Sequence, residues 1–419
     1  MTPSEPAPAV RVPGDKSIAH RSLMLAALAH GRSRIHNLPR GLDVLSTQRV
    51  LRGLGVAITT EGDVTLVDGR GGDFVEPREP LDCGNSGTTI RLMSGLLATR
   101  PITVTLDGDA SLRRRPMRRV ADPLAAFGAR LTLTDAGTAP ITIAGNGEAR
   151  GMPLFVAVPS AQVKSALILA ALGAHGHSRV TGELTTRDHT ERLLRAFGVV
   201  CAFDGEALVV DGPARLLATE VTVPGDMSSA AFLLAAAAVV PGARVAIDEV
   251  GLNPTRIAFL DVLRRFGAQV EVVETNPGAE PRGRVTVRGG PLRAIAIEPW
   301  EVPGLIDELP IIGVIGAFAD GTTTVRGASE LRFKESDRIE SFAAAARALG
   351  IEVTTAPDGF AVRGPARWRS GAVVTAGDHR IAMAFLVAGR AAGVAVALDD
   401  PDCMAVSFPG FAGALEAVA

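Results

Sequence analysis

The chain has 419 residues, of which 47% are hydrophobic and 4% aromatic; none is tyrosine, and the formal net charge is −2. That length suggests two domains or more, and the apolar content points to a packed globular protein rather than a disordered one. Near-neutral charge and scarce aromatic rings argue against a general binder of nucleic acid or of a membrane surface.

The N-terminal MTPSEPAPAV has no basic segment followed by an apolar one, so no signal peptide is read. A pattern then recurs along the chain. A short polar or glycine-marked segment runs directly into an Ala/Leu-rich stretch with helical character. It begins at Gly14 (GDKSIAHRSLMLAALA), Gly84 (GNSGTTIRLMSGLLA) and Pro159 (PSAQVKSALILAALGA). It recurs at Pro224 (PGDMSSAAFLLAAAA), Asp307 (DELPIIGVIGAFA) and Gly377 (GDHRIAMAFLVAG). The starts lie roughly 65 to 85 residues apart, too far for a solenoid, and imply six copies of one supersecondary module. β-rich runs such as VTLVD, ITVTLDG, RVTVRG and AVVTAG lie between them. Further helices (TERLLRAFG, TRIAFLDVLRRFG, RIESFAAAARALG) each close on a glycine. The class is therefore α/β or α+β with mixed sheets. The longest apolar run, Ala230 to Val240, stops at Pro241 and is too short to span a bilayer. Cys83, Cys201 and Cys403 are odd in number and far apart, which predicts neither a disulfide framework nor a metal site and suits a reducing cytoplasm.

A loop entering a helix offers unpaired N–H groups and the positive end of the helix dipole, so such loops favour anions. Capping explains the Asp, Ser and Asn residues there. It does not explain the cations that follow. Of 43 basic residues only three are lysines, Lys16, Lys164 and Lys334, and each falls in a motif. Lysine supplies a compact charge with three rotatable donors and commonly binds phosphate.

In PGDKSIAHRS, Ser17 and Arg21 share a helix face and Lys16 precedes them. In GNSGTTIR, two glycines permit close backbone approach and Arg91 follows Gly87 by one turn; no P-loop spacing is present. RRRPMRR reads mostly as a solvated face, with one arginine beside Pro116 the candidate to point inward. Ser160, Ala161 and Gln162 with Lys164, followed by Arg187 in TTRDHTER, give neutral donors plus a cation, and neutral donors suit sugar or cyclitol hydroxyls. His189 reads as a structural polar residue. Asp307 borders an apolar run, where desolvation would raise its pKa and suit it to general-base work, although an N-cap role is equally open. LRFKESDRIE reads as a salt-bridged helix start, and GDHR adds a histidine and an arginine.

Taken in order, PGDKSIAHRS, GNSGTTIRLM, RRPM, PSAQVKSA, TRDHTER, LRFKESDRIE and GDHRIAMA resemble the 5-enolpyruvylshikimate-3-phosphate synthases, from residue 13 to about 410. The resemblance implies a two-domain inside-out α/β barrel of six βαβαββ units, three per domain. One domain would be residues 1–14 with 225–419 and the other 15–224, with the active site in the cleft between them. It implies enolpyruvyl transfer from phosphoenolpyruvate to the 5-hydroxyl of shikimate 3-phosphate, with release of phosphate, through a tetrahedral intermediate. No metal or organic cofactor, no nucleic acid and no membrane is implied, and a cytoplasmic monomer is expected. By motif, Lys16, Gly87, Arg115, Gln162, Arg338 and Arg380 would hold phosphoenolpyruvate. Lys16, Ser17, Arg21, Ser160, Ala161, Gln162, Arg187, Asp307 and Lys334 would hold shikimate 3-phosphate. Lys16, Asp307 and Glu335 would be catalytic, Asp307 taking the hydroxyl proton and Glu335 handling the methylene proton. Glyphosate would compete with phosphoenolpyruvate.

Some members of that family carry a lysine before the Phe408-Pro409 pair, a tyrosine near shikimate, or asparagine at the position of Glu330; this chain has none of these. Two rivals stand beside this reading. Enolpyruvyl transferases acting on UDP-N-acetylglucosamine show Lys-Asn in place of Lys16-Ser17 and a cysteine within the loop that here reads RRRPMRR. A non-catalytic binder of phosphate ligands or RNA ends would need no paired Asp307 and Glu335.

Overall fold

Each of the six polar-to-apolar junctions leads into a helix in the computed structural model, which describes residues 9–418. The helices are Lys16–Leu28, Gly87–Ala98, Ala161–Ala171, Met227–Ala238, Leu309–Phe318 and His379–Ala392. Five begin on a side-chain cap. Asp15 accepts from the Ile18 N–H at 3.0 Å, Ser86 from Thr89 at 3.1 Å and Ser160 from Val163 at 3.4 Å. Asp226 accepts from Ser228 at 2.8 Å and Asp378 from Arg380 at 2.9 Å. Each cap contributes about 1 kcal/mol. The sixth, after Asp307, has no side-chain cap; Glu308 occupies the cap position and Pro310 lies in the first turn. Asp307 is therefore not an N-cap. Beyond the first turn these helices are buried nearly all round; in Met227–Ala238 all twelve residues are buried. A helix that is apolar on every side belongs inside a core.

The described residues fall into two compact units, one comprising Gly14–Val223 and the other residues 9–13 together with 224–418. Each has its own apolar core. In the Gly14–Val223 unit, three four-stranded sheets share one plan. A short edge strand pairs in parallel with the second strand, and the remaining pairings are antiparallel. The middle sheet shows the module in sequence order: strand Leu81–Asp82, helix Gly87–Ala98, strand Thr103–Asp107, helix Arg118–Ala125, then strands Arg130–Thr132 and Ile141–Ala144. The first module of this unit receives its parallel edge strand from far along the chain, as Glu220–Thr222 pairs with Arg34–His36.

The other unit repeats the plan twice in full. There the distant edge strand is Ala9–Val10, which pairs in parallel with Ala246–Ile247. Two expectations need correction. Among the described residues the last module has only the parallel pair Gly371–Val373 and Val396–Leu398 and then short helical turns, so the sixth copy shows no closing hairpin there. And among the described residues no sheet closes into a barrel: the sheets are open, each ending on its own edge strands. A helix joins four of the short edge strands to their parallel neighbours in the same sheet, because parallel neighbours cannot be joined by a tight turn; after Ala9–Val10 and Glu220–Thr222 the helix leads instead to a strand of a different sheet. No described helix is long and apolar enough to cross a membrane.

One glycine sets a distance that matters for the site. A Cβ at Gly95 would lie 2.1 Å from the Ala166 carbonyl oxygen, so only glycine lets helices Gly87–Ala98 and Ala161–Ala171 pack with their backbones in contact. Those two helices carry Gly87, Arg91, Gln162 and Lys164.

Candidate active site

In the Gly14–Val223 unit the functional side chains form two linked groups. Lys16 opens its helix and its ammonium lies 2.8 Å from the Asp43 carboxylate, both largely buried. Ser17 and Arg21 share the next face. Arg21 donates to the Ser17 carbonyl at 2.9 Å, to Thr190 Oγ1 at 2.8 Å and to Ser165 Oγ at 2.7 Å. Arg187 reaches the same corner, its Nη1 3.4 Å from Ser17 Oγ. Arg21 thus serves to hold helices together, while Ser17, Arg187 and the half-buried Ser160, Ala161 and Gln162 line the more open side.

The second group surrounds Gly87. Arg115 is the buried member of the arginine run; Arg113, Arg114 and Arg118 are exposed. Its Nη2 donates to Asn85 Oδ1 at 2.6 Å and to Ser111 Oγ at 3.3 Å. Arg91 donates to Gln162 Oε1 at 2.6 Å and to the Pro116 carbonyl at 3.3 Å, and Gln162 donates in turn to Thr88 Oγ1 at 3.0 Å. A Cβ at Gly87 would meet Arg115 Nη1 at 3.0 Å and Arg91 Nη1 at 3.1 Å. Two guanidinium tips and the N-terminal amides of a helix therefore face one small space, the geometry of an anion site. A buried chain of hydroxyls ties the groups together: His20 Nδ1 to Thr47 Oγ1 at 2.6 Å, Thr47 to Thr89 at 2.7 Å, and Thr89 to Ser86 at 2.8 Å. Burial pulls the His20 pKa down to about 4, so this imidazole is neutral at physiological pH.

In the other unit the centre is Asp307. Its carboxylate lies 3.4 Å from Arg338 Nη1, 3.6 Å from Arg380 Nη2 and 3.9 Å from Lys334 Nζ, and its carbonyl accepts from Arg380 at 3.0 Å. Arg338 also binds Glu335 at 2.5 Å and Asp378 at 2.8 Å. Burial opposes the charge on Arg338, but Asp378, Glu335 and Asp307 outweigh it and raise the guanidinium pKa. Asp378 in turn caps the helix that begins with His379. The environment of Asp307 differs from the one expected from sequence. It is not a lone carboxylate against an apolar wall: three cations surround it, because helix starts at Arg338 and His379 converge on the turn before Leu309.

The thiols are no candidates for nucleophiles. All three are buried; burial pushes Cys201 and Cys403 up to about 12 and Cys83 higher still.

Over residues 3–415 the chain matches the protein family described as EPSP synthase (3-phosphoshikimate 1-carboxyvinyltransferase). The chain belongs to the EPSP synthase family. A relative named 3-phosphoshikimate 1-carboxyvinyltransferase from Halorhodospira halophila is 49% identical over 405 residues, covering 96% of this chain and 91% of the relative. One of the same name from Thermus thermophilus is 48% identical over 406 residues, covering 96% and 94%. Among solved structures, an EPSP synthase from Acinetobacter baumannii superposes with a TM-score of 0.85 at 37% identity, covering 98% of this chain and 95% of that one.

Within this EPSP synthase framework the structure brings together Lys16, Ser17, Gly87, Arg115, Gln162 and Arg187 in one unit, and Asp307, Lys334, Glu335, Arg338 and Arg380 in the other. Sequence reasoning missed Asp43 and Asp378 as partners. Asp378 lies inside the GDHR motif, where it reads as a helix cap but not as the partner of Arg338. Asp43 lies in GLDVLST, which carries no local signal; only folding sets it beside Lys16.

Proposed function

We propose that the chain transfers the enolpyruvyl group of phosphoenolpyruvate to the 5-hydroxyl of shikimate 3-phosphate, with the residues above dividing the work. The observation that carries the division of labour is the Asp307 cluster: two carboxylates, Asp307 and Glu335, contact one buried guanidinium, with Lys334 and Arg380 beside Asp307. Asp307 takes the proton of the 5-hydroxyl as its oxygen bonds to C2 of phosphoenolpyruvate, and Glu335 delivers a proton to the methylene carbon. In the second half Glu335 removes a proton from the methyl group so formed, the carbon–carbon double bond re-forms, and phosphate leaves carrying the proton that Asp307 took. Two acids with separate proton tasks fit a reaction that both adds and removes a proton.

Lys16, Gly87, Arg115, Gln162, Arg338 and Arg380 hold phosphoenolpyruvate. Ser17, Ser160, Ala161, Gln162, Arg187 and Lys334 hold shikimate 3-phosphate, with Arg21 shaping that corner. Charge-assisted donors of this kind stabilise the charge that develops in the transition state. We also propose the inside-out packing expected for the family, with the apolar helices of each unit at its centre; their all-round burial supports it.

Phosphate release from phosphoenolpyruvate tests the reading. It should require shikimate 3-phosphate and should not occur with UDP-N-acetylglucosamine as acceptor. Binding of shikimate 3-phosphate without turnover would sink it.

Lys16→Arg should lose at least about tenfold in kcat/KM, roughly 1.4 kcal/mol of transition-state stabilisation. The 2.8 Å pairing with Asp43 suits a compact ammonium, and a planar guanidinium needs more room. Steady-state kinetics close to wild type would remove the argument for lysine.

Gly87→Ala should raise the inhibition constant of glyphosate by a larger factor than the KM for phosphoenolpyruvate. The added methyl enters the space between the Arg115 and Arg91 tips, and discrimination by one methyl is worth about 1–3 kcal/mol. Equal changes in both constants would show that the methyl acts only by displacing the arginines.

A further inference from the structure

We propose that Lys164 is a positioning residue that holds the loop bearing Arg187, and through it the affinity for shikimate 3-phosphate. The proposal rests on the reading of Arg187 as a ligand of that substrate. Lys164 sits on the helix Ala161–Ala171, two residues after Gln162, and its side chain is 2% exposed. A lysine ammonium has three protons. Here three acceptors face it: Glu191 Oε1 at 2.7 Å and the carbonyls of Leu184 and Thr186, both at 3.3 Å. Its donors are therefore committed inside the protein, and Lys164 is not placed to bind an anion itself.

What it holds is specific. Leu184 and Thr186 lie in the loop after strand Gly176–Gly182, and Arg187 follows Thr186 directly. Arg187 is the side chain that reaches Ser17. Glu191 stands in the first turn of the next helix, His189–Ala196. The neighbouring residues Ser165 and Thr190 are bridged by Arg21 and bond each other at 2.8 Å. Two parallel cross-links thus join the helix carrying Gln162 to the segment carrying Arg187. One is built on hydroxyls; the other is the buried ammonium. Apolar residues could fill the same volume at no loss of stability, since a buried ion pair rarely stabilises relative to well-packed hydrophobes. They could not bond two loop carbonyls. A tetrahedral ammonium serves three acceptors in different directions where a planar guanidinium would not.

The experiment is a mutant cycle on the 419-residue chain, read by calorimetric Kd for shikimate 3-phosphate, KM for phosphoenolpyruvate and melting temperature. Lys164→Met alone leaves Glu191 buried and unpaired and should melt earlier. Combined with Glu191→Leu, the melting temperature should recover. The Kd for shikimate 3-phosphate should nonetheless stay raised about tenfold, with the KM for phosphoenolpyruvate within about twofold of wild type. Placed on Arg187→Ala, the same pair of changes should add less than about twofold, because the loop no longer carries the contact. A double variant that binds shikimate 3-phosphate like wild type would overturn the proposal, as would a full tenfold effect on the Arg187→Ala background. An Arg187→Ala protein with unchanged affinity would instead sink the assignment of Arg187 as a ligand, and the proposal with it.

Discussion

Asp307→Ala should lower kcat by a factor of about 10² to 10⁴ while leaving the affinity for shikimate 3-phosphate nearly unchanged. The structure sharpens this expectation. Asp307 lies within 4 Å of Lys334, Arg338 and Arg380. Removing it takes one negative charge from a cluster of cations. Anionic phosphoenolpyruvate should therefore bind as well as before or more tightly, and KM for that substrate should hold or fall. A carboxylate that only served as a ligand would give the opposite signature, lost binding that accounts for the whole defect. Glu335→Ala should also lower kcat strongly, since Glu335 shares Arg338 and carries the second proton. Single-turnover kinetics with calorimetry on both variants separates the cases.

Arg338→Met should cost about 3–5 kcal/mol of stability, beyond any effect on turnover. Arg338 is 1% exposed and meets Asp378, itself fully buried, together with Glu335 and Asp307. Methionine fills much of the volume but strands Asp378 without its cation. Asp378 also receives Ser336 Oγ at 3.1 Å and caps the helix that positions Arg380, so the damage should spread to that helix. Denaturant unfolding gives the loss directly. Adding Asp378→Asn should recover part of it, because the buried uncompensated charge is then gone. A destabilisation under about 1 kcal/mol would mean that water reaches Asp378 and that the cluster is not a closed network.

Local chemistry carried a large part of this fold. Asp15, Ser86, Ser160, Asp226 and Asp378 are caps that any reader of the sequence can find, because an N-cap contact spans only two or three residues. The apolar runs behind them need only their own composition to become buried helices. The recurrence of cap, cation and apolar helix therefore exposed the repeated module and most of the candidate site. The position of Arg115 beside Pro116 likewise marked it out from an otherwise solvated run.

Other features depend on residues far apart in sequence. The edge strands Ala9–Val10 and Glu220–Thr222 are two and three residues long, and each finds its partner only across a long stretch of chain. The missing hairpin of the last module leaves no gap in the pattern of caps and apolar runs, so the pattern overcounts it. Lys164 looked like a substrate cation, yet the fold turns it inward onto Glu191 and two loop carbonyls. Asp43 had no motif at all, and Asp307 looked solitary until Arg338 and Arg380 arrived from helices further along the chain. The sequence alone determined which residues start helices and which carry charge, since those properties reside in a few adjacent residues. Only the tertiary structure decided which charges neutralise one another. An ion pair depends on distance in space and on the water excluded around it, and neither is written in any single stretch of chain.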